Sequence, residues 1–147
     1  MRRTVYAAAM SEDGSVGSAL SAIFQTVVVT AFADGRQGRD EAGIVDELAA
    51  LDPSFATLGN TFELAVQVRV LVELHGVEEA LEKITAAITD PADRQRSFRL
   101  CTRAMVADGR TDGDEALVLG SLQELFGLSH EEVVATLNDE RKRRATP

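Results

Sequence analysis

An internal repeat limits the possible folds of this chain more than any other feature. The tetrapeptide Ala-Asp-Gly-Arg occurs at Ala33–Arg36 and recurs at Ala107–Arg110, at an offset of 74 residues. The match predicts two helix-turn-helix units at about residues 15–52 and 90–127, related by duplication and packed about a pseudo-twofold axis. The other pairs that align at the same offset are Asp40 with Asp114, Glu41 with Glu115, Phe24 with Phe98, Ala42 with Ala116, Leu48 with Leu122 and Leu51 with Leu125.

The spacing of the apolar residues predicts an all-α fold. These residues recur three and four positions apart along nearly the whole chain, which is the period of a helix, and sustained alternation is absent. We expect a compact bundle of about seven or eight helices, forming one domain at 15–147 after a flexible lead-in at 1–14. The expected helices are at about 15–33, 40–51, 59–75, 77–88, 91–107, 114–126 and 129–143, with a short segment starting at Asp52 and Pro53.

Local signals mark the ends of these helices. Asp52-Pro53 and Asp90-Pro91 each place a side-chain acceptor before a proline, which suits the start of a helix. Ser129 and Glu132 have the spacing of a capping box. Glycines are expected to end four helices, because glycine adopts the left-handed conformation at little cost. These glycines are Gly35, Gly76, Gly109 and Gly127.

The same period predicts which side chains face the core. In the helix at 59–75 the expected inward stripe is Phe62, Val66, Val70, Leu71 and Leu74. The other expected core residues are Leu20, Ile23, Phe24, Val27, Val28, Ala31, Ile44, Val45, Leu48, Leu51, Leu81, Ile84 and Ile88.

Charge and composition exclude several classes of function. Fifteen basic residues against 24 acidic ones give a net charge of −9, which repels nucleic acid, so we expect no nucleic-acid partner. Cys101 is the one cysteine, so it allows neither an intrachain disulfide nor a cysteine-based zinc site, and we expect it to pack as a small hydrophobe. The apolar stretch Ala19–Phe32 is interrupted and shorter than the ~20 residues that span a bilayer. We therefore expect a cytoplasmic protein rather than an integral membrane protein.

A basic segment, Arg141–Arg144, interrupts the acidic composition near the end of the chain. We expect these cations to neutralise the carbonyl end of the last helix. Contact with anionic lipid or with an acidic partner is the alternative.

Each repeat carries carboxylates where one helix meets the next. Their oxygens can accept from the free N–H groups of the second helix, and this capping role explains the pattern without a ligand. The alternative is a bound divalent cation, Ca²⁺, Mg²⁺ or Mn²⁺ by preference for oxygen ligands, with Zn²⁺ as a further candidate. The second copy does not fit an EF-hand, because Arg110 and Leu119 stand at ligand positions. The first copy has Gly38 and Arg39 where the second has Asp112 and Gly113, so a weaker site is expected there.

The Ala-Asp-Gly motif followed by an acidic residue six positions after the glycine, on a helical hairpin, resembles the TerB and TerB-like tellurite-resistance family. The closer match is Ala104–Glu115. The resemblance implies an all-helical fold with two motif-bearing halves and a divalent cation held by Asp34, Glu41, Asp108 and Glu115. Asp112 and Asp114 are added as local candidates. The resemblance also implies a role in resistance to tellurite and other stress, through protein partners, including complexes near the inner membrane.

No catalytic constellation is present in the sequence: it lacks a phosphate loop, a nucleophile elbow and a His-Glu-x-x-His motif. His75 and His130 are too far apart in sequence to suggest a pair. We expect a protein that is not an enzyme. Two hypotheses follow: a cation-binding stress-response module, and a metal-free helical scaffold that binds proteins. Exposed stretches such as Leu117–Leu119 make a homodimer a further expectation, and the oligomeric state stays open.

Overall fold

The structure is a computed structural model that describes residues 16–32, 40–107 and 113–145, with the backbone alone described at 16–18, 107, 113–116, 144 and 145. These residues form seven α-helices, one 3₁₀ helix and no strand, so the all-α prediction is confirmed. The lead-in at 1–14 and the expected terminators Gly35 and Gly109 lie outside the described residues. The helices are α1 Val16–Phe32, α2 Glu41–Leu51, the 3₁₀ helix Pro53–Leu58, α3 Thr61–His75, α4 Val77–Thr85, α5 Pro91–Ala107, α6 Gly113–Phe126 and α7 His130–Ala145.

Three helices begin with an aspartate cap. Asp40 precedes α2, and its Oδ1 accepts from the Gly43 N–H at 2.8 Å. Asp52 and Asp90 accept from the backbone N–H two residues later, at 3.0 and 2.7 Å. In both of these cases proline is the first residue of the helix, as the sequence predicts, because its missing N–H costs nothing there.

The remaining boundary signals also agree with the structure. Ser129 and Glu132 form the expected capping box: each backbone N–H donates to the side chain of the other residue, at 2.9 and 3.1 Å. Gly76 and Gly127 follow α3 and α6 with φ of 87° and 66°, conformations that side chains disfavour. Helix α4 ends earlier than expected, at Thr85.

Helix α1 is the centre of the bundle. It packs against α2, α3, α4, α5 and the 3₁₀ helix, and every residue from Ala22 to Ala31 is buried. Polar side chains on α1 satisfy their hydrogen bonds inside the helix: Thr26 Oγ1 donates to the Ala22 carbonyl at 2.8 Å, and Thr30 Oγ1 to the Thr26 carbonyl. The sequence predicted one inward face, whereas α1 is surrounded on all sides.

The helices correspond to the two predicted units in order and in burial. Phe24 and Phe98 are both fully buried, and so are Leu48 and Leu122. Helices α1 and α5 contact each other more extensively than any other pair, while α3 packs on α1 and α7 packs on α5. Helix α4 contacts α1, α3 and α6, so it lies between the units. The duplication and the pseudo-twofold axis stay predictions.

The predicted inward stripe of α3 is wrong. Phe62 and Leu74 are 55 and 64 % exposed, and Val70 is exposed as well. Leu71 is half-buried and belongs to the edge of the core. The reason is that α3 has two apolar faces, and periodicity alone cannot choose between them. Packing against α1, α2 and α4 buries the other face, which is formed by Leu64, Ala65 and Val68.

A matched pair of leucine substitutions distinguishes the two faces. Leu64→Ala is expected to lower the free energy of unfolding by about 2–5 kcal/mol, because it leaves a cavity in the core. Leu74→Ala is expected to change it by no more than about 0.5 kcal/mol, because this side chain is exposed. Urea denaturation followed by circular dichroism measures both. A larger loss for Leu74→Ala than for Leu64→Ala would contradict the assignment of the faces.

Candidate functional site

Glu41 is the one predicted cation ligand whose side chain the structure describes. The carboxylates of Asp34, Asp108 and Asp112 lie outside the described residues. Asp114 and Glu115 are the second and third residues of α6, where the backbone alone is described. The metal-ligand set as a whole therefore stays a prediction.

Glu41 is the first residue of α2, and its carboxylate is engaged by a cation from α3. Arg69 Nη1 donates to Glu41 Oε2 at 2.9 Å, and Arg69 Nε donates to Glu73 Oε2 at 3.3 Å. The hydrogen bond from Arg69 is the main reason why the pKa of Glu41 lies below its ordinary value. A bond from the backbone acts in the same direction, and together they outweigh the effect of burial.

On the α2 side of the first acidic hairpin, both carboxylates thus already make contacts within the protein. Asp40 caps the helix and Glu41 holds Arg69. A cation bound through Glu41 would have to replace the guanidinium or share the carboxylate with it, and the two like charges would repel each other. No sequence motif includes Arg69, which lies 28 residues after Glu41, so its contact with this carboxylate was not predictable from local patterns.

The second hairpin has a denser set of carboxylates at its helix junction. Helix α5 ends at Ala107 and α6 begins at Gly113. Asp108 and Asp112 are therefore the first and last residues of the connection, and the next carboxylates follow within the first turn of α6. The helix boundaries agree with the predicted hairpin.

Among the side chains that the structure describes, at 19–32, 40–106 and 117–143, no group of three or more His, Cys, Asp and Glu is arranged to hold a metal ion. His75 Nδ1 lies 3.0 Å from Glu79 Oε2, one turn further along the chain. Cys101 is fully buried, and this burial raises the pKa of its thiol to about 12. The prediction that Cys101 packs as a core residue is confirmed.

A second ionic cluster, which the sequence analysis missed, joins α5 to α7. Glu140 is a buried carboxylate whose side chain is 2 % exposed. Arg103 donates from Nε to Oε1 at 2.8 Å and from Nη2 to Oε2 at 3.3 Å, and Arg99 Nη1 donates to Oε2 at 3.2 Å. Arg99 also reaches Asp139 at 3.5 Å. The i, i+4 spacing of the two arginines on one helix face is the sequence signal that indicates a shared partner.

Charge balance explains how Glu140 is tolerated in the interior. Burial acts to raise its pKa, but the hydrogen bonds and charges of Arg103 and Arg99 outweigh this, so the pKa lies below its ordinary value. The open groove above this cluster is also lined by Lys142 and Arg143, which belong to the predicted basic segment. This segment lies in the last turns of α7, as expected.

Comparison with known proteins identifies the family. A family model described as tellurite resistance protein TerB matches residues 20–138. The chain belongs to the TerB family, which confirms the resemblance drawn from the repeat. No significant match was found among curated proteins or among solved structures. In the described part of the chain, no helix combines the length and the apolar character needed to cross a membrane.

Removal of the Glu140 charge is expected to destabilise the packing of α7 on α5. Glu140→Gln should lower the free energy of unfolding at pH 7 by about 1–3 kcal/mol, because two guanidinium groups lose their shared acceptor. Asp139→Asn, at an exposed position, should change it by less than about 0.5 kcal/mol. The lowered pKa means that the Glu140 contribution is complete above pH 4.5 and is lost as the pH falls through the folded-state value. Urea titrations should therefore show a smaller difference in the free energy of unfolding between the wild-type chain and Glu140→Gln at pH 3 than at pH 7. Equal losses for the two variants at pH 7 would contradict this prediction.

The pKa of Glu41 is expected to depend on Arg69. Arg69→Gln should raise it toward 4.5, because the main stabilising hydrogen bond is removed. A pH titration of the side-chain carboxyl carbon by NMR measures this value. Lys83→Gln is the control, since Lys83 approaches Glu79 and not Glu41. An unchanged pKa of Glu41 in Arg69→Gln would show that the ion pair does not form in solution.

Proposed function

We propose that this TerB-family chain is a non-catalytic module that binds a divalent cation at the acidic hairpin between α5 and α6. The proposed ligands are the carboxylates of Asp108, Asp112, Asp114 and Glu115. These four residues lie within a segment of eight, at the junction of two helices of the family fold. Ca²⁺, Mg²⁺ and Mn²⁺ prefer such oxygen ligands, and a bound ion relieves the repulsion between neighbouring carboxylates.

The difference between the two hairpins supports this choice of site. In the first hairpin Asp40 is used as a cap and Glu41 is paired with Arg69. In the second, Asp112 adds a carboxylate where the first has Gly38. We therefore propose the second hairpin as the stronger site, with Asp34 and Glu41 as a weaker one.

The family match supports a tellurite-resistance type of module. Within that frame we propose a role in the stress response, in the cytoplasm, with protein partners and in complexes at the inner membrane. The cation would then act as a structural ligand, because an ion that binds only the folded state stabilises it, by an amount that grows with the logarithm of the free ion concentration above the Kd.

Cation binding is expected to raise the melting temperature. A divalent ion at 100 times its Kd adds about 2.7 kcal/mol, which for a chain of this size corresponds to roughly 5–10 °C. Asp108→Asn with Glu115→Gln should abolish the rise. Asp46→Asn with Glu82→Gln removes the same charge at two exposed positions and should preserve it. Scanning calorimetry with Ca²⁺, Mg²⁺, Mn²⁺ and Zn²⁺, each against EDTA, makes the measurement.

The possible outcomes either assign the cation site to one of the two hairpins or refute the proposal. A rise that Asp34→Asn with Glu41→Gln abolishes, but Asp108→Asn with Glu115→Gln does not, would transfer the site to the first hairpin. No rise with any of the four ions at millimolar concentration would refute the cation site.

A metal-free interaction scaffold is the second candidate function. The observation that favours it is the outer face of α3, where Phe62, Val70 and Leu74 are exposed to solvent. A monomeric domain gains nothing from exposing such side chains together, and a grouped apolar surface is typical of a binding site. Partner binding that persists in EDTA distinguishes this function from the first.

A further inference from the structure

Helix α3 has a second apolar face that no described element covers. Phe62, Val66, Val70 and Leu74 follow one another at intervals of four residues, which places them along one side of the helix. Phe62, Val70 and Leu74 are the large exposed apolar residues of this helix, and Val66 is half-buried between them. The stripe extends for about 18 Å along the helix axis. A row of residues four apart forms an inclined ridge on the helix surface, and such ridges are the surfaces through which helices pack on one another.

Carboxylates accompany this stripe. Glu63 and Glu73 are exposed on the same outer side of α3, one residue after Phe62 and one before Leu74. Arg69 is the cation at the border, and its guanidinium is engaged by both Glu41 and Glu73. These four charged groups together leave the outer face with a net negative charge. The surface is therefore apolar along its centre and acidic beside it.

This combination of charge and apolar surface selects the partner. A second copy of the chain would bring Glu63 and Glu73 of both copies together, and each copy carries a net charge of −9. An anionic membrane surface would repel the same carboxylates. A helix that carries leucine-like side chains along one face and Lys or Arg beside them satisfies both parts of the surface.

We propose that the outer face of α3 is a docking surface for a basic amphipathic helix of a partner protein. Phe62 and Leu74 contact the apolar side chains of the partner at the two ends of the stripe, and Glu63 and Glu73 face its cations. The surface lies on α3, whereas the proposed cation ligands follow α5 and open α6 in the sequence, so docking does not depend on the cation proposed above.

The test uses the full chain and a fluorescein-labelled helical peptide of about 15 residues, the length of the stripe. The peptide has leucine at intervals of three and four and lysine elsewhere, and a matched peptide has glutamate in place of lysine. Fluorescence anisotropy in EDTA measures binding. The lysine peptide is expected to bind and the glutamate peptide is not.

Variants then locate the binding surface. Phe62→Ser with Leu74→Ser should weaken binding by about tenfold or more, because these are the most exposed apolar side chains of the stripe and would bury the most apolar surface on docking. Leu117→Ser is the apolar control: Leu117 is 66 % exposed on α6, whereas Val118 is buried and Leu119 is half-buried. It should leave binding unchanged. Glu63→Gln with Glu73→Gln should weaken binding several-fold, whereas Asp46→Asn with Glu82→Gln should not.

Three results would overturn the proposal. The first is no binding of the lysine peptide to the wild-type chain. The second is an equal loss in Leu117→Ser and in the Phe62 and Leu74 variant, which would indicate non-specific attraction to an acidic protein. The third is a dimer in analytical ultracentrifugation that Phe62→Ser with Leu74→Ser dissociates, which would assign the face to a second copy. Unchanged melting temperatures in the variants show that they remain folded.

Discussion

The bundle depends on the burial of the central part of α1. Ten consecutive residues of this helix, Ala22–Ala31, are removed from solvent, and four other helices and the 3₁₀ helix pack around them. A helix in this position must supply apolar contacts in every direction and must leave no polar group without a partner. Helix α1 meets the second condition with threonines that bond to the carbonyl one turn earlier, so Thr26 and Thr30 can lie in the core.

The central position of α1 also determines where the acidic hairpins lie. Helices α1 and α5 pack against each other, and each is followed by a short connection and a second helix, α2 or α6. Both helix junctions carry the repeated Ala-Asp-Gly motif. The two hairpins differ in their electrostatics, because α3 brings Arg69 to Glu41 while α7 brings its buried carboxylate, Glu140, to the arginines of α5. The proposal that the first hairpin is the weaker cation site rests on the contact between Arg69 and Glu41.

The outer face of α3 and the acidic hairpin between α5 and α6 offer separate surfaces. The first is apolar with carboxylates beside it, and the second is a cluster of carboxylates at a helix junction. The proposed cation site and the proposed docking surface therefore lie on different helices, and each can be tested without the other. This arrangement suits a module that joins other proteins, since a bound ion adds stability to the fold and an exposed helix face remains available for contact.

The sequence alone determined the helical class, most helix ends and the paired hairpins. These features depend on neighbours along the chain: the three-to-four spacing of apolar residues, the caps at Asp52, Asp90 and Ser129, and the repeated Ala-Asp-Gly motif. Tertiary structure decided the buried face of α3, the burial of α1 on all sides and the partners of Glu41 and Glu140. Each of these requires knowing which helices meet in space. The sequence pattern of an apolar helix face is the same whether the core or a partner covers that face. Arg69 and Glu41 are 28 residues apart, so no local pattern connects them.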